Sequence, residues 1–379
     1  MGFEHYIRRG TRQLRRGYTT GTCAALAAAG ATELLLTGKA PETLALTVPS
    51  GLRVEVRPEQ LCLEENAARC AVRKDAGDDP DVTDGILVLA RVEKQERGIL
   101  LNAGEGIGHV TKPGLDQPVG EAAINSVPRR MIRAAAEAVC AEAGYSGGLK
   151  ITVSVPDGEK LAKKTFNPQL GIEGGISILG TSGIVEPMSE QAILDTIALE
   201  IRQAAATGAK GLILTPGNYG MDYLRLKLPE LRKIPTAKCS NFIGDAIDLA
   251  RTEGFSEVLL VGHVGKLVKL AGGIMNTHSG VADCRCELFC AHAAVCGART
   301  EVCRELMAQV STDGCLAVLD AAGLREKVMQ GILKEIQIRL DRKAEGAVRI
   351  GAILFSNEFG LLGETDSVKE LQFVRRERA

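Results

Sequence analysis

The stretch GGISILGTSG, Gly174–Gly183, decides how this chain is read. Ile176, Ile178 and Leu179 give it strand character, while Gly180, Thr181, Ser182 and Gly183 give a small, flexible turn with exposed backbone N–H groups. Three later stretches repeat that grammar: GLILTPGNYG (Gly211–Gly220), IPTAKCSN (Ile234–Asn241) and EVLLVGHVGK (Glu257–Lys266). Between the first two, Ile193, Ile197, Ile201 and Ala205 recur every four residues from a Ser189 cap to Gly208, which predicts a helix. NFIGDAIDLARTE, residues 241–253, predicts a second helix, capped by Ser240 or Asn241 and stopped by Gly254.

Strands that alternate with helices ask for a parallel sheet covered on both faces, because a right-handed crossover returns each strand beside its neighbour. Ligands of such sheets bind outside the carboxyl ends of the strands. All four small-residue loops are therefore expected along one edge of one sheet, where a small, partly anionic ligand would meet helix N-termini.

At 379 residues the chain has room for two domains. Lys and Arg number 46 against 47 Asp and Glu, so the net charge of −1 gives no long-range attraction to nucleic acid or an anionic membrane. With no Trp and 3% aromatic residues, base-stacking platforms are scarce as well. Eleven cysteines, an odd number in a chain too large to need stapling, favour a reducing compartment. Arg15-Arg16 before an Ala-rich run mimics a twin-arginine signal, but Glu33 interrupts the apolar stretch, and no run reaches membrane-spanning length. A cytoplasmic enzyme with no nucleic-acid or membrane partner is expected, and a homo-oligomer is left open.

The remaining sequence divides the chain into an α+β two-layer domain over 1–155 and an α/β domain over 156–379. Residues 1–16 read as a basic arm carrying Arg8, Arg9, Arg12, Arg15 and Arg16, either solvated or an anion clamp. A helix is predicted from Thr22 to Leu36 and another from Pro128 to Glu142. Strands are predicted over 44–48, 52–57, 68–74, 85–92 and 149–155, alternating as one-sided strands do. Parallel-sheet units are expected over about 156–275. Helices follow over 281–296, 299–309 and 324–340, then a strand over 348–355 whose home sheet the sequence does not assign.

Several stretches carry candidate chemistry. DAGDDPDVTDG packs five aspartates, Asp75, Asp78, Asp79, Asp81 and Asp84, into ten positions. It is not an EF-hand, since the expected glycine is Asp84 and the expected glutamate Ala90. It reads as a solvated turn or as a site where crowded carboxylates raise one another's pKa and leave a general base. GEGIGHVTKPG, Gly104–Gly114, lacks the spacing of a dinucleotide fingerprint, and GHVGK at Gly262–Lys266 lacks the spacer of a P-loop. Cys284, Cys286, Cys290 and Cys296, with His278 and His292, are the densest metal-like cluster, yet no C-x-x-C pair exists and small buried hydrophobes explain them. Ser182 lacks the surroundings of a serine nucleophile.

Taken in order, RRGYTTGTCAA, DAGDDPDVTDG, GEGIGHVTKPGL, NSVPRRMI, TFNPQLGIEGGISILGTSGIVEPMSE, TPGNYG, KCSNFIGDAIDLA and GHVGKLVKLAGGIMNTHS resemble the CbiD family of cobalt-precorrin-5B C(1)-methyltransferases in anaerobic cobalamin biosynthesis. The resemblance spans roughly residues 8–360; the Cys-rich helices of 284–303 depart from it. It implies methyl transfer from S-adenosylmethionine to carbon 1 of a ring-contracted, tetrapyrrole-derived macrocycle that carries its own cobalt, giving cobalt-precorrin-6A. It implies too a two-layer α+β part and a Rossmann-like part. The expected cofactor contacts are Gly180, Thr181, Ser182, Gly183, Asn218, Ser240, Asn241, Gly262, His263, Gly265 and Lys266. For a macrocycle rich in carboxylates the expected partners are Arg15, Arg16, Arg129, Arg130, Lys163 and Lys164, with hydroxyls from Thr19, Thr20 and Thr22. Asp78 and Asp79 are the expected catalytic carboxylates, and no protein metal site is expected. A nicotinamide-dependent oxidoreductase and a metal-binding protein are the rival classes; the missing G-x-G-x-x-G weighs against the first.

Overall fold

The computed structural model describes residues 3–378, so the first two residues of the basic arm lie outside the described residues. The chain forms two compact units, the first ending at Ser189 and the second starting at Glu190. The boundary expected at 155/156 falls inside the first unit, because the segment that follows is bonded back to it: Ile176 and Ile178 bridge Ile107 and Ile124.

In the first unit β1 (Tyr6–Arg9), β2 (Arg12–Arg15) and β3 (Gly17–Tyr18) lead into α1 (Thr20–Thr37). There follow β4 (Leu44–Thr47), β5 (Arg53–Val56), β6 (Glu59–Leu63), β7 (Ala67–Arg73), β8 (Leu87–Gln95), β9 (Ile99–Ala103) and β10 (His109–Val110). The unit closes with α2 (Ser126–Glu142), β11 (Gly148–Ser154), α3 (Gly158–Ala162), β12 (Ile172–Glu173) and β13 (Ile184–Val185). Its main sheet has the order β6-β7-β8-β11-β9, antiparallel except where β11 meets β9. The Ala-rich run Cys23–Ala28 is fully buried, and such small side chains let α1 lie close to β7, β8 and α2. Thr19 caps the helix by accepting the Thr22 N–H, and Gly38 ends it in the left-handed region. The basic arm is a hairpin, β1 on β2, and not a loose segment.

The second unit runs α4 (Glu190–Ala206), β14 (Gly211–Thr215), α5 (Asn218–Lys227), β15 (Thr236–Lys238), α6 (Ile243–Thr252), β16 (Glu257–His263) and α7 (Val264–Leu267). Then come α8 (Arg285–Val295), α9 (Thr300–Met307), α10 (Thr312–Ala321), α11 (Arg325–Ala344), β17 (Arg349–Ser356), β18 (Gly360–Glu364) and α12 (Gln372–Arg378). The sheet order is β15-β14-β16-β17-β18, parallel but for β18. Alternate strand residues feed opposite faces: Leu212, Leu214, Val258 and Leu260 pack under α4, α6 and α11, while Ile213, Leu259, Val261 and Phe355 pack against Leu224 and Phe373. Each fully buried Leu or Ile of this kind contributes about 1.5–3 kcal/mol, which is why the strands read as unbroken apolar runs. The unassigned strand of residues 348–355 is β17, paired with β16 from Glu257↔Arg349 to His263↔Phe355.

Two expectations are corrected, and one element is added. Gly174–Gly183 is not a strand of this parallel sheet; it belongs to the first unit, where the chain goes on to pair β13 with β3. Ser240 and Asn241 do not cap α6, whose preceding residue is Phe242 and which takes no side-chain cap. Helix α10 was not anticipated, although Ser311 caps it by accepting the Gly314 N–H.

Candidate functional site

In the second unit the carboxyl ends of β14, β15, β16 and β17 form one rim. β14 runs through Pro216 and Gly217 into Asn218 at the start of α5, and β15 ends at Lys238 before Cys239, Ser240 and Asn241. β16 ends at His263 and turns through Gly265 and Lys266. Seven of the expected cofactor residues, Asn218, Ser240, Asn241, Gly262, His263, Gly265 and Lys266, are thus carried by three neighbouring strand ends of one sheet.

Geometry gives several of them defined states. Lys266 Nζ donates to the Pro216 carbonyl at 3.0 Å, tying the turn after β16 to the loop after β14. Burial lowers its pKa below the usual lysine range. His263 Nδ1 accepts the Gly265 N–H at 3.0 Å, and burial lowers the imidazole pKa despite Asp313 nearby. A Cβ on Gly217 would meet nothing within 4 Å, which leaves open space at the start of α5. The side chains of Asn218, Ser240 and Asn241 carry no hydrogen bond among the described residues, so their donors and acceptors are available.

Sequence reasoning missed several contributors to this rim. Glu200 of α4 accepts the Lys238 N–H at 2.8 Å, and burial raises its carboxyl pKa. Ser356 at the end of β17 donates to Asp313 at 2.6 Å and accepts the Glu358 and Phe359 N–H groups. The segment of Asn276 and Thr277 lies against Asn241, whose carbonyl accepts the Thr277 N–H at 2.9 Å. A polar residue just past a buried parallel strand was the available signal for Ser356; Asp313 is 43 positions away and gave none.

The fourth loop, Gly180–Gly183, belongs to the first unit, where it is locked to the start of α1. Thr22 Oγ1 donates to the Gly183 carbonyl at 2.6 Å, Thr20 Oγ1 accepts the Leu179 N–H at 3.0 Å, and Thr19 N–H donates to the Gly183 carbonyl at 3.1 Å. Gly183 has φ of 80°, and a Cβ there would fall 2.5 Å from Val48, so packing requires its glycine. Thr19, Thr20 and Thr22 are buried and hold this loop, which leaves them no hydroxyl turned to solvent. Thr181 and Ser182 are exposed, Ser182 Oγ bonding within the turn to Ile184.

The aspartate loop is built rather than solvated, and each of its carboxylates has a partner. Asp75 grips the Arg15 guanidinium at 2.5 and 2.7 Å. Burial pushes its pKa up, but Arg15 and the Gly77 N–H bring it below the usual range. Asp78 accepts the Arg15 N–H at 2.7 Å, and Asp84 accepts the Ala76 N–H at 2.8 Å. Asp81 pairs at 2.7 Å with Lys74, whose side chain is 2% exposed; the pairing outweighs burial and lowers the Asp81 pKa. Asp79 differs: burial raises its pKa, while it accepts the N–H of Met188. Arg15 is therefore committed to the aspartates, whereas Arg16 pairs with Glu186 at 2.8 Å. Arg129 donates to the Ile124 and Ala122 carbonyls, and Arg130, Lys163 and Lys164 are exposed.

Cys286 and Cys315 lie 3.7 Å apart, and burial pushes the Cys315 thiol up to about 12, as for an inert packing thiol. Among the described residues no group of three or more His, Cys, Asp or Glu side chains is arranged to hold a metal ion, and no helix is long and apolar enough to cross a membrane.

The fold is that of a mixed α/β protein, with a candidate site at the carboxyl edge of its parallel sheet. Comparison with known proteins narrows this class. The CbiD family model matches residues 7–187 and the model for the CbiD C-terminal domain matches residues 276–366. A cobalt-precorrin-5B C(1)-methyltransferase of Ruminiclostridium cellulolyticum is 45% identical over 97% of this chain and 98% of the relative. One of Alkaliphilus metalliredigens is 40% identical over 97% of both chains. The crystal structure of a cobalamin biosynthesis protein (CbiD) from Archaeoglobus fulgidus is 33% identical over 74% of this chain and 87% of that one, with a TM-score of 0.40. This chain belongs to the CbiD family.

Proposed function

We propose that the chain transfers a methyl group from S-adenosylmethionine to carbon 1 of cobalt-precorrin-5B, giving cobalt-precorrin-6A. Near-complete coverage of C(1)-methyltransferase relatives, at 45% identity in one case, carries this reading. The cobalt belongs to the substrate. We read the first unit as a two-layer α+β part that binds the macrocycle and the second as a Rossmann-like part with C-terminal helices that binds the methyl donor. The odd count of eleven cysteines fits a cytoplasmic, reducing setting.

S-adenosylmethionine supplies an electrophilic methyl group on a sulfonium sulfur. The rim suits such a ligand: backbone N–H groups at the start of α5 face a carboxylate favourably, and Asn218, Ser240 and Asn241 offer amides and a hydroxyl to ribose and adenine. Lys266 fixes the Pro216 loop that delivers Asn218. In-line displacement depends on position and exclusion of water, so these residues act chiefly by holding and enclosing. In the first unit Arg16, Arg130, Lys163 and Lys164 attract the substrate's carboxylates, and Thr19, Thr20 and Thr22 secure the Gly180–Gly183 loop. Arg15 and Arg129 act by position, through Asp75 and through backbone carbonyls. Asp79 accepts the proton released as the ring carbon gains its methyl; its raised pKa is the direction a general base needs, and Asp78 keeps the loop on Arg15. Incubation of the chain with cobalt-precorrin-5B and methyl-labelled S-adenosylmethionine should place the label on carbon 1. Absence of label from that carbon would overturn the proposal.

A further inference from the structure

The β1–β2 hairpin holds a charge arrangement that its internal partners do not balance. Its register sets Arg9 directly opposite Arg12, and like charges facing each other across a strand pair are destabilising. Arg9 and Arg16 both reach for one carboxylate, Glu186, at 3.6 and 2.8 Å. Each does so through a terminal nitrogen, and the Nε of both is buried with no hydrogen-bond partner. Neither guanidinium therefore makes the two-pronged pair its shape favours. Arg12 is exposed and has no ion pair among the described residues. A hollow of about 490 Å³ on the hairpin is lined by Tyr6, Ile7, Arg8, Thr11, Arg12 and Gln13, so that of Arg9, Arg12 and Arg16 only Arg12 borders it. Arg15 is excluded from this group because Asp75 grips it.

We propose that Arg9, Arg12 and Arg16 form a carboxylate clamp in which Glu186 stands in for an acid group of the ligand. On the macrocycle reading above, on which this rests, the ligand is a corrinoid bearing free peripheral carboxylates. Three guanidinium groups against one internal carboxylate leave the clamp with net positive charge, so a second carboxylate, supplied by the ligand, relieves the Arg9–Arg12 repulsion. Recognition is then of charge and planar geometry, and it weakens with salt.

Absorbance titration of the full chain with a cobalt corrinoid polycarboxylate, and with the same corrinoid amidated at its periphery, tests this. The Arg9→Gln/Arg12→Gln variant should bind the polycarboxylate at least tenfold more weakly, with S-adenosylhomocysteine affinity unchanged. Glu186→Gln, which frees Arg9 and Arg16, should bind the polycarboxylate several-fold more tightly, a gain that a misfolded protein does not produce. Equal polycarboxylate affinity in parent and Arg variant, or no gain in Glu186→Gln, overturns the clamp while leaving the macrocycle reading in place. Failure of the parent to bind either corrinoid while it binds S-adenosylhomocysteine overturns both.

Discussion

The loop Gly180–Gly183 in the first unit and the turn Gly262–Lys266 in the second unit are alike as sequence, yet they have opposite uses. In the loop, buried threonine hydroxyls and backbone groups bond the chain to α1, and a Cβ at Gly183 would collide with Val48. In the turn, a Cβ at Gly265 would sit 3.2 Å from the movable ring of His263, and nearby amide side chains have no partner among the described residues. The first unit's polar groups are largely consumed by its own architecture; the rim of the second keeps some in reserve. Small residues between apolar runs thus mark either close packing or ligand access, and only the neighbours distinguish the two.

The largest effect is expected where the first unit's commitment is deepest. Asp81→Ala strands Lys74, whose side chain is 2% exposed, and removing one partner of a buried pair costs about 3–5 kcal/mol. Urea denaturation should show that loss; a change below about 1 kcal/mol would mean that the loop is dispensable. Gly183→Val should cost about 3 kcal/mol, combining overpacking with a left-handed backbone. Gly265→Val, by contrast, should leave the melting temperature nearly unchanged and weaken S-adenosylhomocysteine binding. If both variants lost only ligand affinity, the contrast drawn above would vanish.

Acid should separate the two units as well. The pKa of His263 is lowered by burial, so its stabilising contribution is present above the ordinary histidine value near 6.5 and is lost as pH falls from there through its folded value. The pKa values of Asp75 and Asp81 are also lowered, but from the carboxylate range, so their contribution persists until pH falls below about 4. The rim should therefore loosen first, and His263→Asn should remove that earlier step from a fluorescence-monitored acid titration with an added dye. A single transition unchanged by the substitution would contradict this order. The smallest effect is expected for Asn241→Ala, which should weaken S-adenosylhomocysteine binding by roughly 0.5–1.5 kcal/mol, the worth of one hydrogen bond, without altering stability.

How legible all this was in the sequence depends on distance along the chain. Helices with a four-residue apolar repeat, such as α4 and α11, were plain because their signal is local. Ile176 and Ile178 misled because their burial comes from single bridges to Ile107 and Ile124, and an apolar run reveals that it is buried without revealing against what. Likewise β17 could be seen as a strand, while its place beside β16 depends on pairing across about ninety residues of intervening chain. The hairpin escaped notice because its short Arg-rich strands carry a single apolar cross-strand pair, Ile7 opposite Leu14. At the rim, residues at the ends of β14, β15 and β16 were found, while Ser356 at the end of β17 and the two arriving from helices, Glu200 and Asp313, were not.

Calorimetric titration with S-adenosylhomocysteine and with NAD, on the parent and on Gly265→Val, tests most directly whether the rim of the second unit holds the methyl donor. The parent should bind S-adenosylhomocysteine and not NAD, and Gly265→Val, still folded, should lose at least tenfold in affinity. Undiminished S-adenosylhomocysteine binding by folded Gly265→Val, or binding of NAD in its place, would contradict that assignment.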